Sequence, residues 1–413
     1  MELYGVIATI LFYLTLPFFY VERVIHHKSF GWKEKFGNVE YQYSGEKTIL
    51  IHACSVGEVN AIINLVKNLK ENFADYKIVV TTGTKTGQDL AQKKFENIAD
   101  FVTYFPFDIP SATNKFLERV NPSIAIIAET EIWPNFAYCC KKRDIPVIIV
   151  NGRISDSTYR TYKIAKLFFK QVFKSFVSVY TQSENDKGKY ISIGMNADKT
   201  EFMGNLKFDI IAQNHNIDLG QQGFKILIAG STHKGENEII INTYTKLKQQ
   251  NDKIKLLIAP RHLERVEEIK VLLDNTGLKY GFRSLDNKFI DNDVIILDTL
   301  GELGKMYEIC DVAFIGGSFV NKGGHNPLEG AIYYKPTVSG PSTYNFKDIY
   351  SILTKENAGI VVESEDELEE NLAKLFMDEN FYNEISNNCE NVFSKQRGAI
   401  NFVVNKVREL LND

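Results

Sequence analysis

The chain has 413 residues with 48 basic and 52 acidic side chains, a net charge of −4, and 44% hydrophobic and 24% charged residues. These are globular values for a chain too long for one ordinary core, so two domains are predicted, and the charge gives no surface for nucleic acid. Cys54, Cys139, Cys140, Cys310 and Cys389 are odd in number and form no CxxC, which predicts reduced thiols in a cytoplasmic setting, without a disulfide framework or structural zinc.

From Leu3 to Tyr20 runs an apolar and aromatic stretch with Pro17 inside it. As a helix it is about 27 Å long at ~1.5 Å per residue, near the lower limit for spanning a bilayer. Arg23, His26, His27, Lys28, Lys33 and Lys35 follow, which places everything downstream in the cytoplasm. A cleaved signal peptide does not fit, because Glu2 stands where a basic start is needed and no small-x-small site follows. An interfacial anchor with Tyr4, Tyr13 and Tyr20 at the headgroups is the second reading. A buried helix of the globular domain is the third.

Residues 1–22 are therefore expected to be a membrane anchor, 23–210 a first α/β domain, 211–223 a polar linker, 224–398 a second α/β domain and 399–413 a closing helix. In the first domain, short β-branched runs at Thr48–Ala53, Lys77–Thr82, Ser123–Ala128, Pro146–Val150 and Val177–Tyr180 alternate with amphipathic helices. In the second, Phe224–Ala229, Ile254–Ala259, Val294–Leu297, Val312–Ile315 and Gly359–Glu363 read as strands. Gly235–Lys248, Leu263–Asn275, Asn326–Tyr334 and Glu365–Met377 read as helices, with Ala399–Leu411 last. Interleaving of this kind predicts two doubly wound parallel sheets, with ligands at the carboxyl ends of the strands in a cleft between the domains.

The residues just after the strands are polar. Ser55-Val-Gly-Glu58 opens a helix, where Glu58 is either a cleft-facing general base or a capping carboxylate. Glu129-Thr-Glu131 follows the third run; in an extended chain only one of the two acids faces the cleft. Arg153 of Asn151-Gly-Arg153 either meets an anionic substrate or pairs with an acid, and Lys207 of Gly204-Asn-Leu-Lys207 either reaches an anion or is a solvated lysine.

In the second half, Ser231 with His233, then Pro260, Arg261 and His262, then Gly301, Glu302 and Leu303 end successive strands. Gly316 and Gly317 follow, and then His325, Asn326, Pro327, Leu328 and Glu329. Asn326 suits an N-cap and Pro327 a first helical turn, and a glycine loop lets backbone N–H groups approach a phosphate. The convergence predicts a nucleotide held by the second domain, with Glu329 on the ribose. Asp291-Asn-Asp293 precedes its strand and reads as a turn, no histidine pair has ligand spacing, and neither a Walker loop nor a first-strand G-x-G-x-x-G is present. No metal and no resident cofactor are expected.

Taken together, Ser55–Glu58, Glu129-Thr-Glu-Ile-Trp-Pro-Asn135, Asn151–Arg153, Gly204–Lys207, Gly230–His233, Pro260–His262 and Gly316-Gly-Ser-Phe-Val-Asn321 with Gly324–Glu329 occur in an order that resembles the 3-deoxy-D-manno-octulosonic acid (Kdo) transferases of Gram-negative bacteria. The resemblance covers nearly the whole chain. It implies a GT-B glycosyltransferase fold and metal-independent transfer of Kdo from CMP-Kdo to a lipid A precursor, at the cytoplasmic side of the inner membrane. It implies Glu58 as general base and Glu129 and Lys207 as groups that stabilise the transition state. CMP contacts would come from Pro260, Arg261, Gly301–Leu303 and Asn326–Glu329. Lys85 departs from the pattern, where proline is expected. A cleft-type transferase using a UDP-sugar and a membrane-anchored two-domain binding protein are the rival readings.

Overall fold

Fourteen strands form two seven-stranded sheets in the computed structural model, which describes residues 1–25 and 31–412 and the side chains outside 18–30. His26, His27 and Lys28 of the expected basic flank lie outside the described residues, as do the side chains of Tyr20 and Arg23. The strands of the first sheet are β1 (Lys47–His52), β2 (Tyr76–Thr82), β3 (Phe101–Tyr104), β4 (Ile124–Ala128), β5 (Val147–Gly152), β6 (Ser178–Thr181) and β7 (Thr200–Phe202). Those of the second are β8 (Lys225–Thr232), β9 (Ile254–Pro260), β10 (Tyr280–Phe282), β11 (Val294–Ile296), β12 (Val312–Ile315), β13 (Thr337–Ser339) and β14 (Ile360–Val361).

The first sheet runs β3-β2-β1-β4-β5-β6-β7 and the second β10-β11-β9-β8-β12-β13-β14. Every pairing is parallel; Leu50, for example, sits between Val79 and Ala125, and Ile228 between Leu257 and Ala313. Apart from the edge strand β10, both orders are the doubly wound one, which reverses direction beside its central strand. Alternate residues supply opposite faces, as the two-residue period requires. Ile49 and Ile51 pack under the helices Val56–Asn72 and Ala399–Leu411, while Leu50 packs with Phe116, Phe136 and Val172.

The chain divides into one unit of Met1–Asp209 with Gln396–Asp413 and another of Ile210–Lys395. The final helix thus belongs to the first unit, where Val403, Val404 and Val407 are buried. Both oxygens of Asp209 accept from its start, at Gly398 N (3.2 Å) and Ile400 N (2.6 Å). The polar stretch 211–223 lies on the second unit: Leu219 is buried in that core and His215 N–H donates to Glu308 Oε2 at 2.6 Å.

Most expected strands and helices form within one to three residues of their expected ends. The edge strands β3, β7 and β10 and the inner strand β13 were not anticipated, because their three or four residues mix polar or glycine positions with apolar ones and form no continuous apolar run. The helix Glu379–Gln396 was also unanticipated, since its Asn-rich middle has low helix propensity. The helix expected over Asn326–Tyr334 is corrected to the single turn Leu328–Ala331, which ends where Tyr334 takes a left-handed φ of 57°.

The N-terminal stretch does form a helix, Glu2–Ile25, and part of one side lies on the first unit. Gly5 is in contact there: a Cβ would come within 3.0 Å of Pro110 Cγ and 3.1 Å of Asn135 Oδ1. Phe12 packs on Phe36 and Phe107, and Glu2 pairs with Lys142 at 2.7 Å. Leu3, Val6, Ile7, Ile10, Leu11, Tyr13 and Leu14 remain exposed. Among the described residues, no helix is long and apolar enough to cross a membrane.

Candidate active site in two half-sites

Glu58 sits one turn into the helix that follows β1. Ser55 caps this helix by accepting from Glu58 N–H, and the Glu58 carboxylate reaches back, taking Cys54 N–H on Oε2 (2.7 Å) and Ser55 Oγ–H on Oε1 (2.9 Å). This is a capping box. The capping reading of Glu58 therefore holds, and it does not compete with the catalytic one. Burial pushes the Glu58 carboxyl up to about 7, helped by the charges of Glu129 and Glu131 and opposed by the Cys54 N–H. A carboxylate near 7 suits a general base.

The expectation that only one of Glu129 and Glu131 faces the site held for an extended chain, and the chain is not extended there. β4 ends at Ala128, and Glu129 takes a left-handed φ of 57°, so strand alternation stops before it applies. Both acids lie close enough to raise Glu58. Glu129 is buried and meets Lys207 Nζ at 3.1 Å and Arg153 Nη1 at 3.9 Å. The expected residues of four strand ends thus meet at one place.

The motifs contain most of the groups that hold this pairing, but sequence reasoning gave those groups no role. Asn151 Oδ1 accepts from Leu206 N–H at 3.1 Å, and Asn205 Oδ1 accepts from Lys207 N–H at 3.0 Å, which fixes the turn carrying Lys207. Gly204 is required there, because its φ is 85° and a Cβ would lie 2.5 Å from Gln396 O. Asp108, half-buried, accepts from Asn135 and Phe136 N–H and thereby seats the Trp133-Pro134 turn. Lys85 is the first residue of the helix Lys85–Phe95 and is exposed; at that position proline costs nothing.

In the second unit the ends of β8, β9 and β12 converge. His233 Nε2 and His325 Nε2 are 3.0 Å apart with parallel rings, and His262 lies 5.9 Å from His233 between centroids. Burial, followed by the charges of His233, Arg261 and His262, pushes His325 down to about 4. Glu329 shows part of its surface to solvent, yet desolvation raises its carboxyl, with Arg261 pulling the other way. Leu303 and Tyr307 close over Gly230, where a Cβ would lie 3.2 Å from Leu303 Cδ1. Glu302 bonds Thr299 Oγ1 and meets Arg283 at 3.5 Å.

The role expected of the glycine loop is corrected. Glu236, fully buried, accepts Gly317 N–H (2.7 Å) and His233 N–H (2.8 Å) on Oε2, and Ser318 and Phe319 N–H (2.9 Å each) on Oε1. Gly316 N–H donates to Gly230 O and Gly324 N–H to Gly317 O. The amides of Gly316–Phe319 and Gly324 are thus already taken by a carboxylate and by backbone, and are not offered to a phosphate. The glycines are there for space and for the positive φ of 70° at Gly317. An acid three residues after His233 was the available signal for this carboxylate, and its three loop partners lie more than 80 positions away. Asp293, read as part of a turn, is held by Lys248 (2.8 Å) and Lys255 (3.0 Å).

The family model described as 3-deoxy-D-manno-octulosonic-acid transferase (kdotransferase) matches residues 30–210. A 3-deoxy-D-manno-octulosonic acid transferase of Haemophilus influenzae is 34% identical over 373 residues, covering 88% of this chain and 87% of its own. This chain belongs to the Kdo transferase family. A bifunctional glycosyltransferase/methyltransferase of Fusobacterium nucleatum is 33% identical over 89% of this chain, which spans 59% of that longer protein. The structure of UDP-GlcNAc 2-epimerase from Neisseria meningitidis aligns over 88% of this chain with a TM-score of 0.59 at 12% identity, a likeness of fold alone. Both parallel sheets of this Kdo transferase family member are thus of the GT-B-like kind, and the family makes the chain a glycosyltransferase.

Proposed function

We propose that this chain transfers Kdo from CMP-Kdo to a lipid A precursor (lipid IVA) in lipopolysaccharide inner-core synthesis, with inversion at the anomeric carbon. The observation that carries the mechanism is the Glu58 carboxyl, raised to about 7 beside Glu129, Glu131 and the Lys207 ammonium. Glu58 accepts the proton of the acceptor hydroxyl as its oxygen attacks the anomeric carbon of Kdo. The bond to phosphate breaks and CMP leaves with the electron pair. A base so placed contributes ~10²–10⁴-fold. Glu129 and Lys207 act as a fixed pair beside the developing charge.

On the donor side, Arg261 meets the departing phosphate, Glu329 accepts from the ribose hydroxyls, and Ser231, Pro260, His262, Gly301–Leu303, Gly317 and His325–Leu328 shape the cytidine pocket. The phosphate charge is met by side-chain cations, so the chemistry requires no divalent ion.

The exposed apolar side chains between Leu3 and Leu14 support attachment at the inner membrane, which holds the acyl chains of the acceptor, with the catalytic units in the cytoplasm. The docking face extends to Ile164 and Leu167, which are exposed on the same unit among Lys163, Lys166 and Lys170. The Tyr4 and Phe168 rings meet in a tilted contact, 5.0 Å between centroids, so the two patches adjoin. One side of the helix is given to protein, so it lies in the interface and does not cross it.

Mass spectrometry of products from the purified chain, CMP-Kdo and a tetra-acylated disaccharide tests the reading and counts the Kdo units added. Transfer from a UDP-sugar in place of CMP-Kdo would overturn the donor assignment. Binding to anionic vesicles that survives Ile7→Glu together with Leu11→Glu would overturn the docking face.

A further inference from the structure

Among the described residues, one group of three metal-ligating side chains lies together: His52 at the end of β1, Cys54 two residues on, and Glu131 after β4. One ring nitrogen of His52, the sulfur of Cys54 and a carboxylate oxygen of Glu131 are all within 4.8 Å of one another. His52 is 1% exposed, and its Nε2 has no hydrogen-bond partner, although a buried polar atom ordinarily has one. Its Nδ1 lies 3.2 Å from Thr81 O and 3.1 Å from Thr81 Oγ1. That is the outer contact that orients a metal-binding imidazole, with one nitrogen held and the other presented. Trp133 and Phe105 flank the ring, at 6.5 and 4.0 Å between centroids, and wall off one side. Cys54 is half-buried, so an ion has a way in.

We propose that His52, Cys54 and Glu131 form a site for a borderline-soft divalent ion, zinc, beside the acceptor half-site. The donor set is one imidazole nitrogen, one thiolate and one carboxylate, with a fourth position left to water, a combination that zinc accepts in tetrahedral geometry. A tetrahedral ion with bonds of ~2.0–2.3 Å needs its ligands about 3.5 Å apart, and Cys54 and Glu131 are already in hydrogen-bond contact. The thiol loses its proton to solvent as the Zn–S bond forms.

Cys54 N–H holds Glu58 at 2.7 Å, so an ion here draws on the segment that seats the base. Resting on the transfer reading above, this makes zinc an inhibitor of transfer and leaves the metal-free chemistry in place.

Cobalt titration of the full chain reads the site without reference to activity. The wild type is expected to bind one Co²⁺ with a thiolate-to-cobalt absorption band that zinc bleaches. Cys54→Ser abolishes the band and weakens binding at least tenfold, and Glu131→Gln weakens it about tenfold, both with unchanged melting of the apo protein. No band at equimolar micromolar cobalt, or the same affinity in Cys54→Ser, overturns the site. Micromolar zinc is expected to arrest transfer by the wild type and spare Cys54→Ser. A band with zinc-insensitive transfer keeps the site and overturns the inhibition. A chain that transfers no Kdo still gives the cobalt result, so failure of the site and failure of the transfer reading are distinguishable.

Discussion

The two units build their sheets almost identically and use the carboxyl ends in opposite ways. At the ends of β1 and β4 the first unit gathers Glu58, Glu129 and Glu131, and burial with mutual repulsion raises Glu58 to about 7. At the ends of β8, β9 and β12 the second unit gathers His233, His262, His325 and Arg261, and burial with like charge lowers His325 to about 4. Desolvation disfavours the charged form of both groups, which in one case makes the ionised carboxylate a stronger base and in the other keeps an uncharged ring beside a permanent cation. The acids also differ in their satisfaction. Glu236 is held by four backbone N–H groups and is structural, whereas Glu58 spends only two bonds on its capping box. The same residue type at equivalent strand ends is thus a bolt in one unit and a base in the other, and the number of fixed donors around it marks which.

The sharpest way to break this comparison is Glu58→Gln, which is expected to lower kcat by ~10²–10⁴-fold with CMP affinity unchanged. Residual activity within a few-fold of wild type would remove the base. Next is Glu236→Ala, which leaves buried amides at Gly317, Ser318 and Phe319 without an acceptor and is expected to destabilise the second unit by about 3 kcal/mol or more in denaturant unfolding.

The pH dependence gives a third test. The folded pKa of Glu58 lies above its ordinary 4.5, so its contribution favours the fold below about 4.5 and is lost as pH rises through about 7. Against Glu58→Gln, the wild type should therefore lose about 1–3 kcal/mol between pH 5 and 8, read by thermal melts, while its kcat rises over the same interval. A stability difference flat in pH would show that Glu58 is not neutralised by its surroundings. In the second unit, Glu329→Ala is expected to weaken CMP binding about tenfold, ~1.4 kcal/mol, without the kcat collapse of the Glu58 variant. Calorimetric titration with CMP reads this directly. The smallest effect is Lys85→Pro, expected to stabilise by about 0.4–1 kcal/mol, because Lys85 opens its helix and Thr84 already holds an extended φ of −105° and ψ of 157°.

Much of this was legible in the residues themselves. Glu58 follows Ser55 at capping-box spacing, Val312–Ile315 is bounded by glycines, and runs such as Ile124–Ala128 announce a buried parallel strand. These are local patterns, and local sterics and the hydrophobic effect suffice to write them. The sequence also marked which strand ends carry chemistry, since polar residues there break the apolar runs. Distances along the chain could not show that Glu129 turns left-handed and delivers both acids, or that Glu236 consumes the amides expected to hold phosphate. Nor could they bring His52, Cys54 and Glu131 together, or fold the last helix back onto the first sheet. Each of these depends on groups tens to hundreds of residues apart meeting in a desolvated place, where the free energy of a charge is set by its neighbours in space and not by its neighbours in sequence.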